Sequence, residues 1–216
     1  MCIRDSTKIL IDIGPDFRNQ FLENKLEDVD AVLLTHEHND HVIGMDDIRA
    51  INFIQKKSIP IYAKQTVIAQ LNQRFSYAFG NNKYPGTPLI HLVPIGDSPF
   101  FIDEVEIIPV HLLHGRLDIL GFRVGDFAYL TDASSIPESE YTKLNQLKIL
   151  IINALRKEPH HSHFTLTEAL DEIERINPER AFLTHISHKM GPSSVWGQEL
   201  PDTVSALNDK MILETH

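Results

Sequence analysis

The 216 residues, 42% hydrophobic and 23% charged, have the length and balance of one globular domain with a substantial core, and no apolar run nears the roughly 18–20 residues of a membrane span. The formal charge of −10 opposes attraction to a nucleic-acid backbone, so no nucleic-acid partner is expected, and an anionic ligand needs a local positive centre. The single cysteine, Cys2, excludes an internal disulfide framework and a Cys-rich zinc module within the chain and fits the reducing cytoplasm.

The opening MCIRDS lacks the order of a secretory signal, a basic start followed by an apolar stretch. It looks like translated adapter sequence, so residues 1–6 read as non-native and the reading frame as truncated. Apolar, β-rich runs then follow at 8–13, 29–34, 59–63, 105–113, 127–130, 148–152 and 181–184. Helical spacing is clearest in Met45, Ile48, Ile51 and Ile54, within a helix expected from about 41 to 57. It recurs in Leu166, Ala169, Leu170, Ile173 and Ile176, after a Thr165-x-x-Glu168 capping box. The aromatic stretch 75–88, with Tyr77, Phe79, Gly80 and Tyr84, lacks periodicity and reads as a loop suited to covering a cleft. Strands and helices alternate, which sets the class as α/β and the domain as one, 1–216.

The chemistry-bearing residues share one placement. His36 follows VDAVLL, Asp132 follows FAYL, His185 follows AFLT, and His114 ends the IIPVHLL run. Carboxyl ends of strands in α/β sheets are where loops converge on ligands. In LLTHEHNDHVIG, extended backbone turns alternate side chains the same way, so His36, His38 and Asp40 line one wall while His41 points elsewhere. One short loop can therefore serve two neighbouring metal ions, with the following helix start favouring an anion there. A lone histidine at a strand end is ordinarily a satisfied polar residue; four ligand-type residues in six positions are poorly explained that way.

THEHNDH, at 35–41, resembles the H-x-H-x-D-H signature of the metallo-β-lactamase-fold hydrolases. The resemblance continues in order through Asp12 in ILIDIG, His114 in LLHG, Asp132 in YLTDAS and His185 in FLTHISH. It implies a four-layered αββα sandwich, here lacking the first N-terminal strands. It also implies one divalent ion held by His36, His38 and His114, a second by Asp40, His41 and His185, and Asp132 between them, with Asp12 supporting the loop. Zn2+ and Mn2+ both suit such ligands. His111 lies close enough before His114 that pattern leaves both open, although the Leu120-Gly121-Phe122-Arg123 that follows fits the family better with His114.

Within that superfamily, IDIGPDFRNQ, SHFTLTEAL and THISHKMG resemble the phosphoribosyl 1,2-cyclic phosphate phosphodiesterase-like group. That resemblance implies that His163 contacts substrate or transfers a proton. By position alone, His160, His161 and His163 read equally as a solvated loop. The group usually shares a structural zinc between an upstream cysteine cluster and the residue matching His188; those upstream partners do not occur in this sequence.

Two ions close together would ionise a water at neutral pH and take up charge on a phosphate oxygen. Asp40 would orient the nucleophile and His163 would protonate the departing alkoxide. Arg49, Arg74 and Arg116 are candidates for holding further phosphate oxygens. The expected partner is a small phosphorylated substrate; a homodimer is compatible and no membrane partner is expected. The competing readings are another hydrolase of the superfamily (lactonase, thioesterase, β-lactamase or tRNA 3′-endonuclease) and a non-catalytic metal-binding fragment.

Overall fold

A computed structural model of the protein describes residues 2–4, 6–79 and 85–215. The chain divides into two compact units, Met1–Val105 and Glu106–His216, in a mixed α/β fold with two sheets.

The first unit runs β1 (Cys2–Arg4), β2 (Thr7–Ile11), α1 (Phe17–Glu23), β3 (Ala31–Leu33), α2 (Asn39–Val42), α3 (Ile48–Gln55), β4 (Ile59–Lys64), α4 (Gln65–Arg74), α5 (Ser76–Phe79), β5 (Ile90–Ile95) and β6 (Phe100–Ile102). Strands β1 to β5 lie side by side in chain order, β1 antiparallel to β2 and the rest parallel. Parallel neighbours need crossover connections, which the intervening helices provide. Ala31 through Leu34 are fully buried, as expected of a parallel strand covered on both faces. Phe17 and Phe21 of α1, Val42, Met45 and Ile48 pack with Val32 and Leu34 in one core.

The single helix expected from about 41 to 57 is broken instead. α2 has one turn, residues Ile43–Asp47 form a 3-10 turn, and α3 starts at Ile48. The cause is backbone contact at Gly44, whose N–H donates to Ile13 O at 2.9 Å. A Cβ there would sit 2.6 Å from Gly14 O, so only glycine allows the approach. Met45, Ile48 and Ile51 keep the buried stripe, but Ile54 is 64% exposed. Phe75–Pro88 also differs: Phe75 is buried at the end of α4 and α5 follows, while Gly80 and Tyr84 lie outside the described residues, as do Met1 and Asp5 of MCIRDS.

The second unit holds β7 (Val105–His114), β8 (Leu117–Val124), β9 (Phe127–Leu130), β10 (Ile149–Asn153), α6 (Leu166–Ile176), β11 (Arg180–Thr184), α7 (Ser193–Trp196) and β12 (Val204–Ala206). Antiparallel β7–β8–β9 continues into parallel β9–β10–β11–β12. The Thr165–Glu168 capping box forms in both directions at the start of α6. Ala169, Ile173 and Ile176 bury one face of that helix with Leu150, Ile152 and Leu183. Among the described residues, no helix is long and apolar enough to cross a membrane.

A part-buried ion pair braces β7. Glu140 accepts from the His111 peptide N–H at 2.8 Å and from Lys143 Nζ at 2.8 Å. Burial opposes ionisation of this carboxyl, but the Lys143 ammonium and the His111 N–H outweigh it and hold the pKa below the usual range. A depressed carboxylate pKa stabilises the fold above the unfolded value and ceases to do so as pH falls through the folded one. Glu140→Gln is therefore expected to lose about 1–3 kcal/mol at pH 7. Urea unfolding should show the difference from wild type closing in acid; a pH-independent difference would contradict the assignment.

Candidate metal ligands and their supports

In the first unit the signature loop leaves β3 and starts α2. His36 is fully buried and His41 is 5% exposed, their ring centroids 4.2 Å apart. His38 is exposed, with its ring centroid 4.6 Å from that of His36. Asp40, its side chain 58% exposed, places Oδ2 3.4 Å from His41 Nε2. The extended course expected through Asp40 ends at His38, just before α2 begins, so His41 turns back beside His36 instead of pointing elsewhere, and all four ligand-type residues of the loop are gathered at one place.

Asp12 organises them. It ends β2 with a left-handed backbone, φ 58°, and its N–H donates to Leu33 O at 2.9 Å. Its Oδ1 accepts the Thr35 N–H at 2.9 Å; its Oδ2 accepts from Thr35 Oγ1 at 2.9 Å and lies 2.6 Å from His41 Nδ1. The threonine has one proton, already directed to Asp12, so its oxygen accepts from His36 Nδ1 at 3.0 Å. Both imidazoles therefore carry their proton on Nδ1, which assigns ligation to Nε2. Arg74 Nη1 donates to Glu37 O and, at 3.1 Å, to Asn39 Oδ1, which braces the loop.

In the second unit His114 ends β7, 8% exposed, and donates from Nδ1 to Ser162 O at 2.7 Å, again assigning ligation to Nε2. Asp132, 2% exposed with φ 57°, follows β9. Thr131 Oγ1 donates to Asp132 Oδ1 at 2.7 Å, and Asn153 pins the next residue by bonding the Ala133 N–H at 2.7 Å and its carbonyl at 3.0 Å. His185, φ 53°, follows β11 and places Nδ1 3.1 Å from Asp132 Oδ1. His163 joins this set: its Nε2 is 3.4 Å from Asp132 Oδ2, its ring stacks on His185 at 5.0 Å and meets His114 edge-on at 4.5 Å.

His111 points away from this group. Three positions from His114 on an extended strand, it faces the opposite side, where Nδ1 lies 3.1 Å from Asp118 Oδ1. Arg49 is exposed on α3, Arg116 in the β7–β8 turn, and His188 in a 3-10 turn after β11.

The donor chemistry fits divalent metal. Imidazoles with Nδ1 held by a carboxylate, a hydroxyl or a carbonyl are arranged as ligating histidines are, with the second nitrogen presented and its tautomer fixed. Thr35 and Thr131 are supports that sequence reading missed, yet they left a signal in a triplet that recurs. Leu-Thr-His or Leu-Thr-Asp occurs at 34–36, 130–132 and 183–185, each time with the leucine fully buried at a strand end.

Comparison with known proteins identifies the family. Residues 7–186 match the beta-lactamase superfamily domain, and the chain belongs to that family, as a hydrolase of the metallo-β-lactamase fold. It is similar to a diphosphatase from the PhnP family, 32% identical over 99% of this chain and 82% of that one, with a TM-score of 0.91. The Zn2+-bound PqqB of Methylobacterium extorquens shares the fold at 15% identity, covering 98% and 85% of the two chains with a TM-score of 0.75. An octanoyltransferase of Porphyromonas gingivalis is 42% identical over 191 residues, 87% of this chain. The chain spans only 38% of that protein's length.

Proposed function

We propose that the protein hydrolyses a small cyclic phosphate ester, of the phosphoribosyl 1,2-cyclic phosphate class, with two divalent ions, Zn2+ or Mn2+. Following the family pattern, His36, His38 and His114 would hold one ion and Asp40, His41 and His185 the other, with Asp132 offered to both. Ions bound there would bring the pKa of water toward neutrality and take up charge developing on phosphate oxygens. The acidic chain thereby gains the local positive charge that an anionic substrate requires.

The observation that carries the phosphodiesterase reading is His163, an imidazole outside the family ligand set lodged against Asp132 between the rings of His114 and His185. From there it gives a proton to the departing alkoxide, while Asp40 orients the attacking water. The PhnP-family diphosphatase supports a second reading, hydrolysis of a diphosphate linkage, which uses the same groups.

A panel of ribose cyclic phosphates, bis-p-nitrophenyl phosphate, dinucleoside diphosphates, lactones and acyl thioesters tests the proposal. Highest kcat/KM is expected on a cyclic phosphate. Preference for a diphosphate would favour the second reading, and ester or thioester turnover without phosphodiester turnover would overturn both.

A further inference from the structure

The loop between β10 and α6 carries three histidines, His160, His161 and His163, of which the reading above uses one. His160 is part-exposed at its rim, and its Nδ1 lies 3.1 Å from Nδ1 of His163. Two ring nitrogens at this distance cannot both carry a proton, nor face each other with two lone pairs at low energy. One donates and the other accepts.

The backbone indicates which. The Ser162 peptide N–H, which can only donate, is directed at His160 Nδ1 over 3.4 Å. His160 Nδ1 therefore carries the lone pair and its proton sits on Nε2. His163 Nδ1 must then bear the hydrogen, directed at His160 and at Ser162 Oγ, also 3.1 Å away. In the neutral ring this leaves the lone pair on His163 Nε2, and a proton taken up there, which makes the imidazolium, is donated to Asp132 Oδ2 over 3.4 Å. An acceptor must stay uncharged, and burial, with the neighbouring His163, His161 and Arg156 charges, pushes His160 below the usual histidine pKa. The loop itself is held: Arg156 Nε donates to Glu158 O at 3.1 Å and Nη2 to Pro159 O at 2.7 Å, and Leu155 N–H reaches Phe164 O at 3.0 Å.

We propose that His160 is a positioning residue which, by accepting the His163 Nδ1–H, locks His163 in the tautomer whose Nε2 takes up and delivers the catalytic proton. This rests on the reading of His163 as proton donor. In the step served, hydroxide oxygen bonds to phosphorus as the bond from phosphorus to the leaving oxygen breaks. The electron pair goes to that oxygen, and the Nε2 proton of His163 imidazolium follows it. The ring left behind is neutral with its hydrogen on Nδ1, held by His160. A third group orienting the base or acid in this way is a general device of proton-transfer sites.

Two readouts test this. In Zn2+-loaded, 15N-labelled protein, imidazole nitrogen shifts should show His163 protonated at Nδ1, and His160→Ala should yield a mixture of tautomers. In turnover, His160→Ala should lower kcat about tenfold on a diester with an alkoxide leaving group, a fraction of what general-acid catalysis supplies. KM and p-nitrophenolate release, which needs no proton, should change less than about twofold on the same grounds. His160→Asn, whose amide oxygen can accept the same bond, should recover part of the rate. The double variant with His163→Ala should be no slower than His163→Ala alone, the mark of two residues acting as a unit.

A wild-type His163 protonated at Nε2 only, wild-type kcat in His160→Ala, or additive losses in the double variant would each overturn the proposal; wild-type kcat would mean that Ser162 Oγ alone holds the ring. If His163→Ala itself shows no leaving-group dependence, the reading of His163 fails and this inference with it. The phosphodiesterase reading is tested separately by the substrate panel.

Discussion

Asp132→Asn is expected to lower turnover roughly a thousandfold while the fold survives. Under the proposed function the Asp132 carboxylate would supply charge to both ions, and metal stabilisation of the transition state is worth several kcal/mol, at about 1.36 kcal/mol per tenfold in rate. Asparagine is the informative replacement because Asp132 has φ 57°, which asparagine adopts readily and alanine does not. The amide also keeps an oxygen for the Thr131 hydroxyl, which donates at 2.7 Å. Circular dichroism should match wild type, and elemental analysis should show substoichiometric metal. Turnover within tenfold of wild type, with full metal content, would remove Asp132 from the centre.

Asp12→Asn tests the support behind the ligands. Its carboxylate receives the Thr35 N–H and hydroxyl and the His41 Nδ1–H, so the amide breaks the charged bond that fixes the His41 tautomer. Loss of such an outer partner typically costs about 10–100-fold in metal affinity or activity. A charge-assisted hydrogen bond is worth a further ~1.5–3 kcal/mol of stability. Metal titration and urea unfolding should both move. If stability falls while metal affinity holds, Asp12 is a scaffold for the loop and has no part in tuning His41.

The outline of the fold was legible because hydrophobic runs and functional residues coincide. VDAVLL, FAYL and AFL each end on a fully buried leucine and lead into Thr-His or Thr-Asp, so strand ends could be read off the sequence. Strand β5 was not found because Pro94 interrupts IHLVPI, and proline is tolerated there only because β5 borders the first unit's β1-to-β5 series. Strand β8 was not found because Gly121 splits LDILGFRV. That glycine reflects a close approach to β9, where a Cβ would lie 2.8 Å from Tyr129 O. The break at Gly44 has the same origin: periodicity reports side-chain burial and says nothing of a carbonyl approaching from elsewhere in the chain.

Within the site, ligand types and spacing were readable and the hydrogen-bonded supports were not. Nothing in HHSHFTLTEAL tells that His160 and His163 meet nitrogen to nitrogen, because that depends on loop dihedrals. The choice between His111 and His114 was a matter of strand parity, plain once β7 is seen to remain extended through both.

Asp12, Asp132 and His185 all have left-handed backbones, φ 58°, 57° and 53°, although none is glycine. Such conformations cost non-glycine residues free energy that a chain selected for stability alone would shed. At Asp12 and Asp132 the carboxylates also anchor Thr35, His41 and Thr131, so a descendant released from catalytic duty should gain robustness by acquiring glycine only at the His185 corner. Where a lineage keeps an imidazole there instead, its retained discomfort is itself a record that chemistry is still being selected.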